Sequence, residues 1–275
     1  MPTAILFPGQ GSQTPDMRER VAALRPDLLA LVSQCVGEDP FPRVDEDTRF
    51  AQPAILVASL ANWGDLDEDP TAVAGHSLGE LTALAAARAI SERDAVRLAT
   101  LRGKLMSESG HAGGDGTMMA AIGGDDATVV EIAERHDVVV ANDNAPGQLV
   151  LSGQRSALEA AKEDLSDAGA RAIELNVAGA FHSPLMADAV PAFTEALAAT
   201  YVREPRIPVW SCVTAEPIDD IRKRLAEALT APVRWRETVL GLEASGIDRF
   251  VDAGPSAVLA KMIKRIASDA EAVHV

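Results

Sequence analysis

Apolar residues along this chain fall into short runs of four or five, separated by longer stretches in which they recur at helical spacing. That alternation is the pattern of a parallel sheet flanked by helices. Ala4-Ile5-Leu6-Phe7 predicts a first buried strand ending at Pro8, followed by the glycine-rich turn Gly9-Gln10-Gly11-Ser12-Gln13. Val21, Leu24, Leu28, Leu31 and Val32 give residues 16–35 an apolar helical face, which Pro26 must kink or restart. Pro40 and Pro42 mark a loop, and Gln52 to Trp63 is a second helical run with Pro53 in its first turn. Thr71 to Ala74 predicts a short buried strand, and Leu78 to Ile90 an Ala- and Leu-rich helix. Ser91 to Asp94 resembles a capping box opening a helix that runs to about Ser107.

His111 to Gly116, with three glycines, predicts a hinge or domain boundary, and beyond it the order changes. Strand (Met118 to Ile122), helix (Asp126 to Arg135), strand (Val138 to Ala141), strand (Leu149 to Ser152), helix (Arg155 to Asp167) and strand (Ala172 to Val177) follow in turn. That is the β-α-β-β-α-β order of a ferredoxin-like unit. The chain then returns to helices from about Met186 to Thr200, Ile218 to Leu229 and beyond Pro232, with strands at Val209 to Cys212 and Arg249 to Asp252. Val258 to Ala267 is a last helix. The expected division is a large parallel α/β unit over 1–116 and 179–275, interrupted by a small ferredoxin-like unit over 117–178.

The chain has 275 residues, 47% of them hydrophobic, which is ample for a core. A formal net charge of −16 argues against nucleic-acid binding, which needs a basic face. An anionic partner could still dock on a local basic patch: Arg222-Lys223-Arg224, or Lys261, Lys264 and Arg265 at helical spacing, unless these are simply solvated helix faces. Neither an export signal nor an uninterrupted apolar run of spanning length is evident, so the cytoplasm is the expected compartment. Cys35 and Cys212 are too few and too far apart for a disulfide framework or a zinc site, and no metal is expected.

The chemistry gathers at Gly75-His76-Ser77-Leu78-Gly79, a G-x-S-x-G between a predicted strand and a predicted helix. A serine on so sharp a turn is pushed out of the sheet, and the following helix aims its N–H groups at it, so Ser77 is the candidate nucleophile over an ordinary turn serine. A serine hydroxyl needs a base, most often His. Of the five histidines, His76 adjoins the serine and points elsewhere, His111 falls in the supposed hinge, His136 lies in the insert, and His274 is in a tail expected to fray. His182, after the small-residue turn Ala178-Gly179-Ala180, remains as the candidate base. No acidic residue between Ser77 and His182 marks itself as the orienting member; a backbone carbonyl could fill that role.

Phe7-Pro8-Gly9-Gln10-Gly11-Ser12-Gln13, Gly75 to Glu80, Arg102-Gly103-Lys104-Leu105-Met106, Asn142 to Gln148, Gly179 to His182 and Pro232-Val233-Arg234-Trp235 occur in order across nearly the whole chain. Together they resemble malonyl-CoA:acyl carrier protein transacylases and the acyltransferase domains of polyketide synthases. The resemblance implies an α/β-hydrolase-like core with a ferredoxin-like insert and a ping-pong transfer. Malonyl would pass from coenzyme A to Ser77, then to the phosphopantetheine thiol of an acyl carrier protein, for fatty-acid or polyketide synthesis. It further implies His182 as general base and acid, and the N–H groups of Gln10 and Leu78 as oxyanion hole, with Gly9 and Gly11 permitting close backbone approach. Arg102 would grip the free carboxylate of malonate with its planar fork, a device an ordinary esterase does not need. Phe181 resembles the malonyl-type pattern, since its ring leaves little room for an α-methyl group. Ala228 stands where the family commonly has Gln, the residue whose main-chain carbonyl orients the histidine, and the segment 36–50 is short. No permanently bound cofactor and a monomer are implied. The alternatives are a serine esterase or thioesterase on the same elbow, a trans-acting acyltransferase with another extender unit, and a non-catalytic carrier-binding relative.

Overall fold

Two sheets organise the chain in the computed structural model, which describes residues 1–112 and 114–275. The strands are β1 (Thr3–Phe7), β2 (Ala72–Gly75), β3 (Gly116–Gly123), β4 (Val139–Ala145), β5 (Gln148–Gln154), β6 (Ala170–Glu174), β7 (Val209–Ser211), β8 (Glu216–Pro217), β9 (Arg249–Asp252) and β10 (Glu271–His274). The helices are α1 (Met17–Leu24), α2 (Pro26–Val36), α3 (Thr48–Asp65), α4 (Gly79–Ala86), α5 (Glu92–Ala112), α6 (Asp126–Arg135), α7 (Arg155–Asp167), α8 (Val190–Ala199), α9 (Ile221–Glu227), α10 (Trp235–Ala244) and α11 (Val258–Ile266).

The larger sheet has the order β10-β9-β1-β2-β7-β8, parallel throughout except for the short β8 hairpin arm. Its central strands are apolar on both faces because both are covered. Ile5, Phe7 and Val73 join the core formed with α3, α4 and α5, whereas Ala4, Leu6 and Ala74 pack against Trp235, Val239, Leu259 and Ile263 of α10 and α11. The smaller sheet, β4-β5-β3-β6, is antiparallel and carries α6 and α7 on one face, the ferredoxin-like arrangement. The two sheets are tied where Val233 N–H donates to the Ala141 carbonyl and Asp143 N–H to the Val233 carbonyl. Arg236 of α10 adds ion pairs to Asp143 and Asp126 at 2.7 and 2.6 Å.

Several elements differ from expectation. Helix α3 begins a turn earlier than Gln52, because the Asp47 side chain accepts the Arg49 N–H and caps it, so Pro53 lies inside the helix. Helix α5 continues past Ser107 to Ala112 and includes His111. Gly113, within the predicted hinge, lies outside the described residues. His274 does not fray: β10 pairs with β9 and its Nε2 meets the Gly254 carbonyl at 3.0 Å. Among the described residues no helix is long and apolar enough to cross a membrane.

Candidate active site

Ser77 occupies the bend between β2 and α4 with φ +52°, a left-handed conformation that a non-glycine residue holds only when its surroundings impose it. The flanking glycines are required by space. A Cβ on Gly75 would stand 1.9 Å from the Gly79 carbonyl carbon, and one on Gly79 1.9 Å from the Phe7 oxygen. Strand and helix therefore approach closely enough to present the serine at the end of the sheet.

His182, also left-handed at φ +56°, places Nε2 2.8 Å from Ser77 Oγ. Its Nδ1 lies 3.1 Å from the Ala231 carbonyl. A carbonyl can only accept, so the hydrogen-bond network assigns the proton to Nδ1 and leaves the Nε2 lone pair facing the serine hydroxyl. The 3.1 Å bond runs to Ala231, three residues beyond the expected Ala228, whose carbonyl also acts on the ring. Ala231 N–H bonds to the Glu227 carbonyl, which winds the chain one more turn beyond α9 and aims the next free carbonyl at the ring. The Ala228 carbonyl contributes in the same sense, favouring a charged imidazole. Burial opposes both, and with the Arg102 charge beside it the imidazole is pulled down to about 3.

Arg102 projects from the interior of α5 and is only 3% exposed. Its Nη2 donates to Ser77 Oγ at 3.1 Å and its Nη1 to Gln52 Oε1 at 2.8 Å. Gln52 donates in turn to Thr48 Oγ1 at 2.9 Å, and the Thr48 hydroxyl bonds to the Gln10 side chain. Burial lowers the guanidinium to about 10, so it is charged at neutral pH. Sequence reasoning missed Gln52; the available signal was an amide set between apolar residues near the start of α3. It also missed that the Ser77 N–H faces the buried sulfur of Cys212.

Gln10 and Leu78 line the same cleft, and among the described residues their backbone N–H groups have no acceptor. Gly9 provides the close approach, since a Cβ there would lie 2.9 Å from the His76 oxygen, whereas Gly11 is needed for its φ of +93°. The cleft, about 150 Å³, lies between the sheets. Ser77, Arg102 and His182 line it, together with buried Phe181, with Met118, Val150 and Leu175 on the small-sheet side and Val258, Leu259 and Met262 of α11. Asn142 also lines it, and Asn144 fixes His76 by a 2.8 Å bond while Trp235 packs against that ring. His111 bonds to the Ser107 carbonyl and His136 pairs with Asp164, away from the cleft. Among the described residues no cluster could hold a metal ion.

The two basic clusters separate clearly. Arg222 is spent on the Leu197 and Thr200 carbonyls and Arg224 on Asp219 and Glu227. Lys261, Lys264 and Arg265 are exposed and make no ion pair among the described residues; Arg265 only reaches Gln148 and the Pro146 carbonyl. They lie on the helix that walls the cleft.

A hydroxyl against an imidazole lone pair, a fixed cation 3.1 Å from that hydroxyl and two free N–H groups can carry out acyl transfer on an anionic acyl donor. A family model described as acyl transferase domain matches residues 5–275. The chain is 37% identical over 286 residues to the malonyl CoA-acyl carrier protein transacylase of Bacillus subtilis, covering 96% of this chain and 90% of that one. It is 39% identical over 281 residues to the polyketide biosynthesis protein ThaF of Burkholderia thailandensis, where 96% of this chain spans only 24% of the larger protein. The structure also superposes, with a TM-score of 0.92 and 33% identity over 100% of this chain and 96% of the other, on a malonyl-transacylase in complex with its type II polyketide synthase acyl carrier protein.

Proposed function

The chain belongs to the acyl transferase domain family and is an acyltransferase, and we propose that it carries malonyl from coenzyme A to the phosphopantetheine thiol of an acyl carrier protein through an ester on Ser77. The observation that carries this reading is the convergence of Ser77, His182 and Arg102, from three distant segments, within hydrogen-bond reach of one hydroxyl. In the first half-reaction His182 Nε2 takes the Ser77 proton as Oγ attacks the thioester carbonyl. The developing oxyanion is met by the Gln10 and Leu78 N–H groups. The carbon–sulfur bond breaks and His182 returns the proton to the coenzyme A thiolate. In the second, the carrier thiol gives its proton to His182 and attacks the malonyl ester, and Ser77 leaves with that proton.

Arg102 supports malonyl as the cargo, because a buried guanidinium beside the nucleophile is matched by a free carboxylate. Phe181 supports an unbranched extender, its ring filling space beside the acyl α-carbon. The unpaired basic face of α11, at the rim of the cleft, supports docking of an acidic carrier. Malonyl-CoA and the carrier's own phosphopantetheine are substrates in this reading; no resident cofactor takes part.

Incubation with labelled malonyl-CoA and holo carrier protein tests it. Label should move to the carrier, and intact mass should rise by one malonyl group in the wild type but not in Ser77→Ala. Free malonate with an unlabelled carrier would instead identify a hydrolase.

A further inference from the structure

Glu80, the second residue of α4 and three positions after Ser77, is 1% exposed. Its Oε1 accepts the Ser211 hydroxyl and the Cys212 N–H, both at 2.9 Å, while Oε2 is buried with no partner. Arg102 is close enough to act on it electrostatically, yet no ion pair within 4.0 Å joins them. A carboxylate with one oxygen unpartnered in so dry a place is disfavoured, which shifts the balance toward the protonated acid. The charged or titratable groups acting on it are Arg102 from α5 and the Cys212 thiol after β7, and burial keeps that thiol protonated.

Resting on the malonyl reading above, we propose that Glu80 is a positioning residue that sets how strongly Arg102 holds the substrate carboxylate. As a neutral acid it leaves the whole guanidinium charge to the substrate; as a carboxylate it repels the incoming anion. Burial pushes the carboxyl up to about 7, against the Ser211 and Cys212 hydrogen bonds and Arg102, so the change falls within the working range. Below that value the malonyl carboxylate meets an uncompensated cation, and above it the cation is already partly answered. Malonyl affinity therefore falls as pH rises, and malonyl binding favours retention of the proton on Glu80. Acetyl-CoA has no carboxylate, while its phosphates match those of malonyl-CoA and its kcat/KM senses the same free-enzyme His182. The ratio of kcat/KM for malonyl-CoA to that for acetyl-CoA thus isolates the effect.

Transfer to holo carrier protein is measured with both donors from pH 6 to 9, below the guanidinium's about 10. Two charges on the order of 10 Å apart at an effective dielectric of about 20 predict that the wild-type ratio drops about tenfold across this range. Glu80→Gln, which mimics the neutral acid, should hold the ratio at its low-pH value throughout. Ser211→Ala removes a hydrogen bond to the carboxylate and should move the midpoint upward. A flat wild-type ratio, a slope retained in Glu80→Gln, or a midpoint unmoved in Ser211→Ala would overturn the role of Glu80 while leaving the transferase reading intact. Absence of malonyl transfer from the wild type at every pH would overturn both. Should Glu80→Gln not fold, the wild-type and Ser211→Ala profiles still decide the matter.

Discussion

Arg102→Ala removes a cation that touches Ser77 and is held at its other nitrogen by Gln52. In the proposed reaction the substrate carboxylate enters the same buried position and takes the remaining N–H groups of the fork. Deleting one partner of a buried, hydrogen-bonded charge pair costs about 3–5 kcal/mol, since the surviving charge is stranded. At about 1.36 kcal/mol per decade, malonyl kcat/KM should fall by about 10²–10⁴. Acetyl transfer should be spared or improved, because Ser77, His182 and the Ala231 carbonyl remain and a cation opposing protonation of His182 is gone. Arg102→Lys should fall between the two, keeping a charge but losing the planar fork. The assay compares kcat/KM for malonyl-CoA and acetyl-CoA with one holo carrier, with thermal melting as the control for folding. Equal losses for both donors in a folded Arg102→Ala protein would refute the carboxylate grip and reduce Arg102 to a support for the Ser77–His182 geometry.

Gln52→Ala loses a buried hydrogen bond to a charged group, worth about 1.5–3 kcal/mol, so malonyl kcat/KM should drop roughly tenfold to a hundredfold with acetyl little changed. Gln52→Glu, which offers Arg102 a competing carboxylate, should lower malonyl transfer further, and a proportional acetyl loss would contradict the role. With His182 held down to about 3 by burial and Arg102, the base stays neutral and competent well below pH 6.5, so the acid limb of acetyl kcat/KM should lie on that acidic side. In Arg102→Ala the limb should move upward, toward but not reaching the value of a free imidazole; an unmoved or lowered limb would show that the guanidinium is not felt. Lys264→Glu should raise the carrier KM by about threefold to tenfold, more at low salt, while malonylation of Ser77 from malonyl-CoA stays unchanged.

Local features were legible in the sequence to the extent that their causes are local. The strand, the glycine-flanked serine and the Ala-rich helix lie within twenty residues of one another, and the same short-range physics makes the elbow. The order of the small sheet was likewise readable, because two of its strand-to-strand connections are helices of ordinary length and the third is a tight turn at Pro146-Gly147. What escaped depends on partners far along the chain. β10 is only four residues, two of them charged or titratable, that become a strand because β9 offers them an edge. The orienting carbonyl at Ala231 is selected by one extra turn after α9, which no residue between Ala228 and Pro232 announces. Gln52 meets Arg102 across 50 positions, and Glu80 meets Ser211 across 131.

Those same long-range contacts link recognition to reactivity in the proposed transfer. Without substrate the Arg102 guanidinium donates to Ser77 Oγ and disfavours the imidazolium that His182 must become. A malonyl carboxylate on the guanidinium cancels much of that charge, so His182 gains basicity as the correct donor is bound. Acetyl leaves the cation unanswered and the base weak. Selectivity then appears in the chemical step as well as in binding, because the interaction that names the substrate also relieves the inhibition of the base. A malonyl preference visible only in KM, with kcat equal for the two donors in the acylation half-reaction, would separate these functions and leave Arg102 as an anchor alone.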